Sequence, residues 1–189
     1  MKSHTQTSKF LSLILRHKPE QIGLQLDQEG WAKIAELIDA AQQHNTFLDD
    51  ELIQTIVAQN DKKRFQISED GLKIRAVQGH STSAVQRQMT ALVPPPQLFH
   101  GTASRFVDSI QTQGLIAGQR HHVHLSENQE TALKVGQRYG KPILFVVNTT
   151  QMQRDGFEFF QAENGVWLTA HVPTQYLSLL DQTKTEVFV

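Results

Sequence analysis

Three consecutive prolines, Pro94-Pro95-Pro96, sit near the middle of this chain. Proline has no N–H to donate and its ring fixes φ, so such a run neither continues a helix nor enters a central strand. Whatever folds on either side must stop there. In 189 residues this leaves two stretches, 1–92 and 93–189, each long enough for a modest core. Two small domains are expected.

The first stretch reads as helix, helix, helix and hairpin. Thr7 or Ser8 can cap a first helix in which Phe10, Leu11, Leu13 and Ile14 recur at near-helical spacing. Pro19 disfavours helix at Lys18 and leaves Arg16 and His17 in the last turn. Residues 23–30 turn and extend. Trp31 is expected to open a second helix, with Ile34, Leu37, Ile38 and Ala41 on one stripe. Asp49 or Asp50 caps a third that carries Leu52, Ile53, Ile56 and Val57. Phe65 and Ile67 then alternate with Arg64 and Gln66, Ser68-Glu69-Asp70-Gly71 turns, and Leu72, Ile74 and Ala76 return. That order suggests a winged helix. After the prolines, strands are expected at 98–100, 122–125, 143–147 and 166–169. Helical pieces are expected near 104–113 and 130–139. The whole is α+β.

Charge narrows the possible partners. The formal net charge is -1, and residues 1–92 carry 11 basic against 11 acidic side chains, the remainder 7 against 8. Nucleic-acid binding therefore needs a local basic patch rather than bulk charge. Cysteine is absent, which excludes disulfides, thiolate zinc sites and a cysteine nucleophile within this sequence. The segment Met1-Lys2-Ser3-His4-Thr5-Gln6 lacks a signal-peptide core, and no apolar run reaches membrane-spanning length. A soluble, cytoplasmic protein is expected; a monomer is the working expectation.

Chemistry concentrates at a few positions. In an extended strand, side chains two apart share a face, so Arg120, His122, His124 and Ser126 would line one side of a strand. An anionic ligand is the simplest use for that set. His122 and His124 could instead hold a metal with His80 or His100, but Arg120 on the same face would repel a cation and no carboxylate joins them. Arg16 and His17 together offer a planar fork for phosphate and a group that moves protons near neutral pH. As cations at a helix C-terminus they would also complement the macrodipole. Arg64 starts the hairpin on the face opposite Phe65 and Ile67, which fixes its direction toward a possible phosphate. His100-Gly101-Thr102 sets side-chain hydrogen-bonding groups around a glycine that permits close backbone approach. Asn164-Gly165-Val166-Trp167 is a turn entering a strand. Arg75, Gln78 and His80 follow the hairpin and read as substrate contacts or linker polarity.

These pieces stand in one order: Leu15-Arg16-His17-Lys18-Pro19, Asp61-Lys62-Lys63-Arg64-Phe65, Ile74-Arg75-Ala76-Val77-Gln78-Gly79-His80-Ser81, Phe99-His100-Gly101-Thr102, Arg120 with His122-Val123-His124-Leu125-Ser126, and Asn164-Gly165-Val166-Trp167-Leu168-Thr169. In that register they closely resemble the NAD-dependent RNA 2′-phosphotransferase family of KptA type, over nearly the whole chain. The resemblance implies a winged-helix RNA-binding lobe followed by an ADP-ribosyltransferase-like NAD-binding lobe. It implies that an internal RNA 2′-phosphate, as at a tRNA splice junction, attacks NAD and expels nicotinamide. An adjacent ribose hydroxyl then takes the phosphorus, leaving 2′-OH RNA and ADP-ribose 1″,2″-cyclic phosphate. The family's catalytic set matches Arg16, His17, Arg64 and Arg120. By the same analogy His100, Gly101, Thr102, His124, Ser126, Asn164 and Val166 contact NAD, with Val166 where many ADP-ribosyltransferases have a glutamate. Arg75, Gln78 and His80 face the RNA, and no metal is implied.

Two other functions compete. An ADP-ribosyltransferase acting on nucleic-acid phosphate or protein would share the NAD site, but has no need of the Arg16, His17 and Arg64 cluster. A winged-helix regulator would expose a basic recognition helix, whereas Asp50-Glu51-Leu52-Ile53-Gln54-Thr55-Ile56-Val57 is acidic to neutral.

Overall fold

The computed structural model describes residues 4–180, which form two compact units, the chain dividing between Met89 and Thr90. Met1, Lys2 and Ser3 of the N-terminal segment considered above lie outside the described residues.

The first unit contains α1 (His4–Arg16), β1 (Trp31–Lys33), α2 (Ile34–Gln43), α3 (Asp50–Ala58), β2 (Phe65–Ile67) and β3 (Lys73–Ala76). Helix α1 buries Leu11, Ile14 and Leu15 on one stripe and starts ahead of the expected Thr7 or Ser8 cap. It ends at Arg16, so His17 follows the helix rather than lying in its last turn. Asp49 caps α3 as its sequence implies, its carboxylate accepting from the Leu52 N–H at 2.8 Å. Asp50 and Glu51 in the first turn suit the positive end of the helix dipole.

Trp31 does not open a helix. It begins a third strand, with β3 central in the order β1-β3-β2 and Trp31 paired to Arg75. The Arg75 guanidinium lies 4.3 Å from the centre of the indole. That contact uses the flat surface of the aromatic, which favours a pleated position over a helical one. The hairpin register, Phe65 opposite Ala76 and Ile67 opposite Ile74, turns its apolar set inward. Asp70 holds the turn by accepting from the Ser68 hydroxyl and the Leu72 N–H, and Gly71 supplies the positive φ of 73°.

The second unit contains β4 (Gln97–Ala103), α4 (Val107–Gln113), β5 (Leu115–Ile116), β6 (Val123–Leu125), α5 (Gln129–Gly136), β7 (Pro142–Asn148), α6 (Thr149–Arg154), β8 (Phe160–Gln161), β9 (Trp167–Thr169), β10 (His171–Val172) and β11 (Leu177–Leu179). The strands form small antiparallel sheets, chiefly β11-β7-β4 and β6-β9-β8, with β10 beside β5. Between the two main sheets, Phe99 and Ser126 exchange both backbone hydrogen bonds, at 2.8 and 2.9 Å. Leu98, Phe145, Val147, Phe159 and Trp167 belong to the core of this unit. The prolines are tied to it: the Pro95 carbonyl accepts from the Thr149 hydroxyl, and the Leu92 N–H donates to the Phe159 carbonyl.

One expectation fails in an informative way. The strand near 120 begins only at Val123; Arg120 to His122 form a bend, with the Arg120 N–H donating to the Ala117 carbonyl at 3.2 Å. Alternation therefore cannot be counted back from His124 to Arg120. Gly118, with φ of 64°, turns the chain just before this segment.

Candidate functional site

In the first unit, Arg16, His17 and Arg64 line one open groove of about 590 Å³. Each is placed by a different structural device. Arg16 closes α1, is only 9% exposed, and has its guanidinium against Gly79, where an added Cβ would lie 3.6 Å from Nη1. His17 follows the helix, and its Nδ1 hydrogen-bonds the Ser81 hydroxyl at 2.9 Å. The Ser81 N–H donates in turn to the Arg16 carbonyl, so the segment after the hairpin fixes both residues. Arg64 precedes β2 and extends its ladder, its carbonyl accepting from the Val77 N–H at 3.0 Å. The same groove is lined by Lys9, Lys62 and one carboxylate, Asp61. Among the described residues, four cationic side chains against one acid make it positive in a chain whose formal net charge is -1.

The post-hairpin candidates are held more tightly than their sequence suggests. Arg75 donates through Nε and Nη2 to Gln66 Oε1 at 3.1 and 2.9 Å, besides its contact with Trp31. Gln78 is half-buried. His80 is 5% exposed and packs against Gly30, where an added Cβ would meet its Nε2 at 3.0 Å. That burial suits a packing role for His80 better than a surface contact.

In the second unit, His100, His124 and Ser126 fall at the junction of β4 with the end of β6. His100 Nδ1 lies 3.1 Å from the His124 carbonyl, an acceptor, so Nδ1 donates. Burial pushes the His100 pKa below the usual histidine value; that hydrogen bond opposes it in part, and the positive charge of Arg120 adds a smaller lowering. The imidazole is thus neutral near pH 7, with Nε2 left as an acceptor. The β6–β9 register runs to Leu125 opposite Trp167; carried one residue further it sets Ser126 opposite Val166. His122 precedes β6. Its ring meets Phe160 edge-on at 5.8 Å, and burial lowers its pKa.

Two candidates prove to have definite packing duties. The side of Gly101 where a Cβ would stand is filled by α5: a methyl there would lie 1.7 Å from the Ala132 carbonyl oxygen. Gly136 meets the backbone of Thr102 in the same way, at 2.5 Å. The glycine that the sequence offers for close approach to a ligand therefore accommodates a helix. The Ser126 hydroxyl accepts from the Asn128 N–H and donates to the Asn128 carbonyl, while the Asn128 side chain caps α5 through the Thr131 N–H. Asn164 and Gly165 form the turn from β8 into β9, Gly165 with φ of 79°.

Sequence reading passed over two participants. Glu127, next to Ser126, accepts from the Trp167 indole N–H at 2.6 Å and so ties β6 to β9. Lys9 stands seven residues before Arg16, on the same helix face, a spacing visible in the sequence once α1 is known to run unbroken. Among the described residues, no group of three or more histidines and carboxylates could hold a metal ion, and no helix is long and apolar enough to cross a membrane.

A cationic groove built from a helix end and a strand end, and an α+β unit with a neutral histidine at a sheet junction, describe an enzyme that handles an anionic substrate. Residues 2–171 match the model of the family described as RNA 2′-phosphotransferase, Tpt1 / KptA. A protein of Pseudomonas fluorescens named a probable RNA 2′-phosphotransferase is 56% identical over 174 residues, 92% of this chain and 96% of its own length. One of Escherichia coli O45:K1 with the same name is 56% identical over 176 residues, 93% and 91%. This chain belongs to the RNA 2′-phosphotransferase family.

Proposed function

We propose that the protein removes an internal 2′-phosphate from RNA by passing it to NAD, with nicotinamide and ADP-ribose 1″,2″-cyclic phosphate as the other products. The observation that carries this reading is the convergence of Arg16, His17 and Arg64 on one positive groove. A phosphate monoester is already a dianion near neutral pH, so it needs orientation more than deprotonation. Arg16 and Arg64 supply that, and in the phosphorus-transfer step they stabilise charge growing on the phosphoryl oxygens. His17, held through Ser81, is the member of the set able to move a proton, on the ribose hydroxyl or the departing RNA hydroxyl. By the family resemblance, Arg120 is assigned as the fourth residue of the set. The β1-β3-β2 sheet with its three helices reads as a winged helix that presents Arg75 and Gln78 to RNA, with His80 supporting them from within.

NAD would supply an electrophilic anomeric carbon with nicotinamide as leaving group, and a neighbouring hydroxyl as the final phosphate acceptor. The residues of the second unit suit it. The neutral His100, with Nδ1 committed to a carbonyl, offers Nε2 to accept from a ribose hydroxyl, and a neutral imidazole does not compete with arginine for the dianion. His124, Asn164, Val166 and Ser126 stand on adjoining strands or their ends, while Gly101 and Thr102 offer main-chain groups. The position of Val166, with no carboxylate, fits a nucleophile that needs no activation. No step calls for a metal. The protein acts in the cytoplasm as a monomer in this reading.

The deciding assay is an RNA oligonucleotide with one internal 2′-phosphate, incubated with and without NAD and analysed by mass. NAD-dependent loss of phosphate with formation of the cyclic phosphate is expected. ADP-ribosylated RNA that persists would shift the assignment to an ADP-ribosyltransferase; no reaction would overturn it.

A further inference from the structure

The groove that holds Arg16, His17 and Arg64 extends well beyond them. Thr5, Ser8, Lys9 and Ser12 also line it, and with Arg16 they recur at helical spacing along one face of α1. From Thr5 to Arg16 this stripe is about 16 Å long at about 1.5 Å per residue. A single 2′-phosphate needs only the Arg16 end. The rest is a polar track with a hydroxyl or an ammonium at each turn. Its far wall is the loop after α3, shaped by Asn60, whose side-chain oxygen accepts from the Lys62 N–H at 3.1 Å. Lys63 follows with φ of 42°. That turn sets Lys62 on the groove opposite the helix.

The geometry points to a strand path: the α1 side of the groove, through Lys9 with Ser8 and Ser12, carries the phosphodiester backbone of the RNA flanking the 2′-phosphate. This rests on the RNA reading above and extends it from the reacting phosphate to its neighbours. Three observations support the assignment. The length suits a few nucleotides, since a stacked strand advances about 3.4 Å for each. The charge suits a polyanion, because Lys9 adds a cation about 10 Å from Arg16 along the helix axis, two turns away. Among the described residues the lining includes no phenylalanine, tyrosine or tryptophan, and its two imidazoles, His4 and His17, lie outside the Ser8–Ser12 stretch, so that stretch offers phosphate contacts rather than a stacking platform. Lysine and serine bind phosphate and sugar without reading sequence. The path therefore recognises the presence of a strand and not its sequence. It makes a 2′-phosphate within a chain a better substrate than the same phosphate on a dinucleotide.

The test compares a 2′-phosphorylated dinucleotide with octanucleotides extended to the 5′ or the 3′ side, using wild type, Lys9→Ala, Ser12→Ala and Lys33→Ala. Lys33 is an exposed cation paired with Glu36 outside the groove, and controls for bulk charge. The wild type should show a KM several-fold lower for one octanucleotide than for the dinucleotide. Lys9→Ala should erase most of that advantage with kcat unchanged, Ser12→Ala a smaller part, and Lys33→Ala none. Independently, anisotropy titrations with an unmodified octanucleotide should show the salt slope of binding fall by about 0.7 in Lys9→Ala, the loss of one phosphate contact. Equal effects of Lys9→Ala on short and long substrates, or an effect of Lys33→Ala as large as that of Lys9→Ala, overturn the strand path. If the wild type removes phosphate from none of the substrates, the phosphotransfer reading fails, and the titrations still decide the path. An unchanged salt slope there rejects it.

Discussion

The first unit gathers its candidate groups as charge, whereas the second gathers its own as geometry. Arg16, His17 and Arg64 stand on an open groove with four cations and one carboxylate among its lining residues. Most of what surrounds them is polar and solvated. His100, His124 and Ser126 instead sit where strands from two sheets meet, beside a helix pressed onto the strand backbone at Gly101. Arg64, the partly exposed member of that cluster, can be removed without opening the core, whereas Arg16 is buried at the end of α1. A site built from backbone contacts does not separate so cleanly into fold and function. The two units should therefore fail differently when altered.

The largest effect should come from the second. Gly101→Ala places a methyl 1.7 Å from the Ala132 carbonyl oxygen, and both partners are backbone, so no rotamer change relieves the clash. Either α5 leaves β4 or the unit unfolds, at a cost of more than about 4 kcal/mol. Chemical denaturation followed by circular dichroism should show the loss. A variant as stable as wild type would mean that α5 does not pack as described. Ser126→Ala probes the same region more gently, by freeing the Asn128 backbone from its local hydrogen bonds.

Arg64→Ala is the opposite case. It should lower turnover by about 10²- to 10³-fold, the usual loss when one preorganised donor to developing charge is removed. The denaturation midpoint should barely move. Arg120→Ala should behave likewise, because Arg120 is exposed and precedes β6 rather than pairing within it. Near-normal turnover in either variant would remove that residue from the chemistry.

Acid should distinguish the units next. His100 has its pKa lowered in the fold, chiefly by burial. As pH falls below about 6.5, the unfolded chain takes up a proton that folded His100 resists, so the native state loses stability. His122 acts in the same direction. Melting temperatures of wild type and His100→Asn, compared from pH 8 to pH 5, should show a steeper decline in the wild type. Above pH 7.5 the difference between them should be flat. Parallel curves throughout would mean that His100 titrates as it does in an unfolded chain.

How far the sequence disclosed these features followed the same division. The first unit's cations were legible because the positions that orient them obey local rules: Pro19 ends α1 shortly after Arg16, and the alternation of Phe65 and Ile67 fixes the hairpin. Asp49 could be read as a cap for the same reason. Local periodicity misplaces Trp31 because its partner Arg75 is forty-four residues away, and no local window contains it. The bend at Arg120 escapes alternation because the pattern runs on through residues that make no ladder. Short strands such as β5, β8 and β10, two residues each, carry no period to detect. Nor could Gly101 reveal its purpose, since a helix and a ligand demand the same missing side chain.

The smallest effect expected is none at all, from a chelator. His122 and His124 resemble a metal pair in sequence, and a strand through both would point them the same way. In the structure His122 precedes β6 with its ring edge-on to Phe160, while His124 lies within the strand and its carbonyl accepts from His100. No carboxylate joins them among the described residues to complete a set. Incubation with EDTA should therefore leave phosphate removal unchanged, and added zinc should not accelerate it. Activity lost on chelation and restored by zinc would mean that the two imidazoles converge on an ion after all. The second unit would then be a charge-organised site like the first, and the contrast between them would collapse.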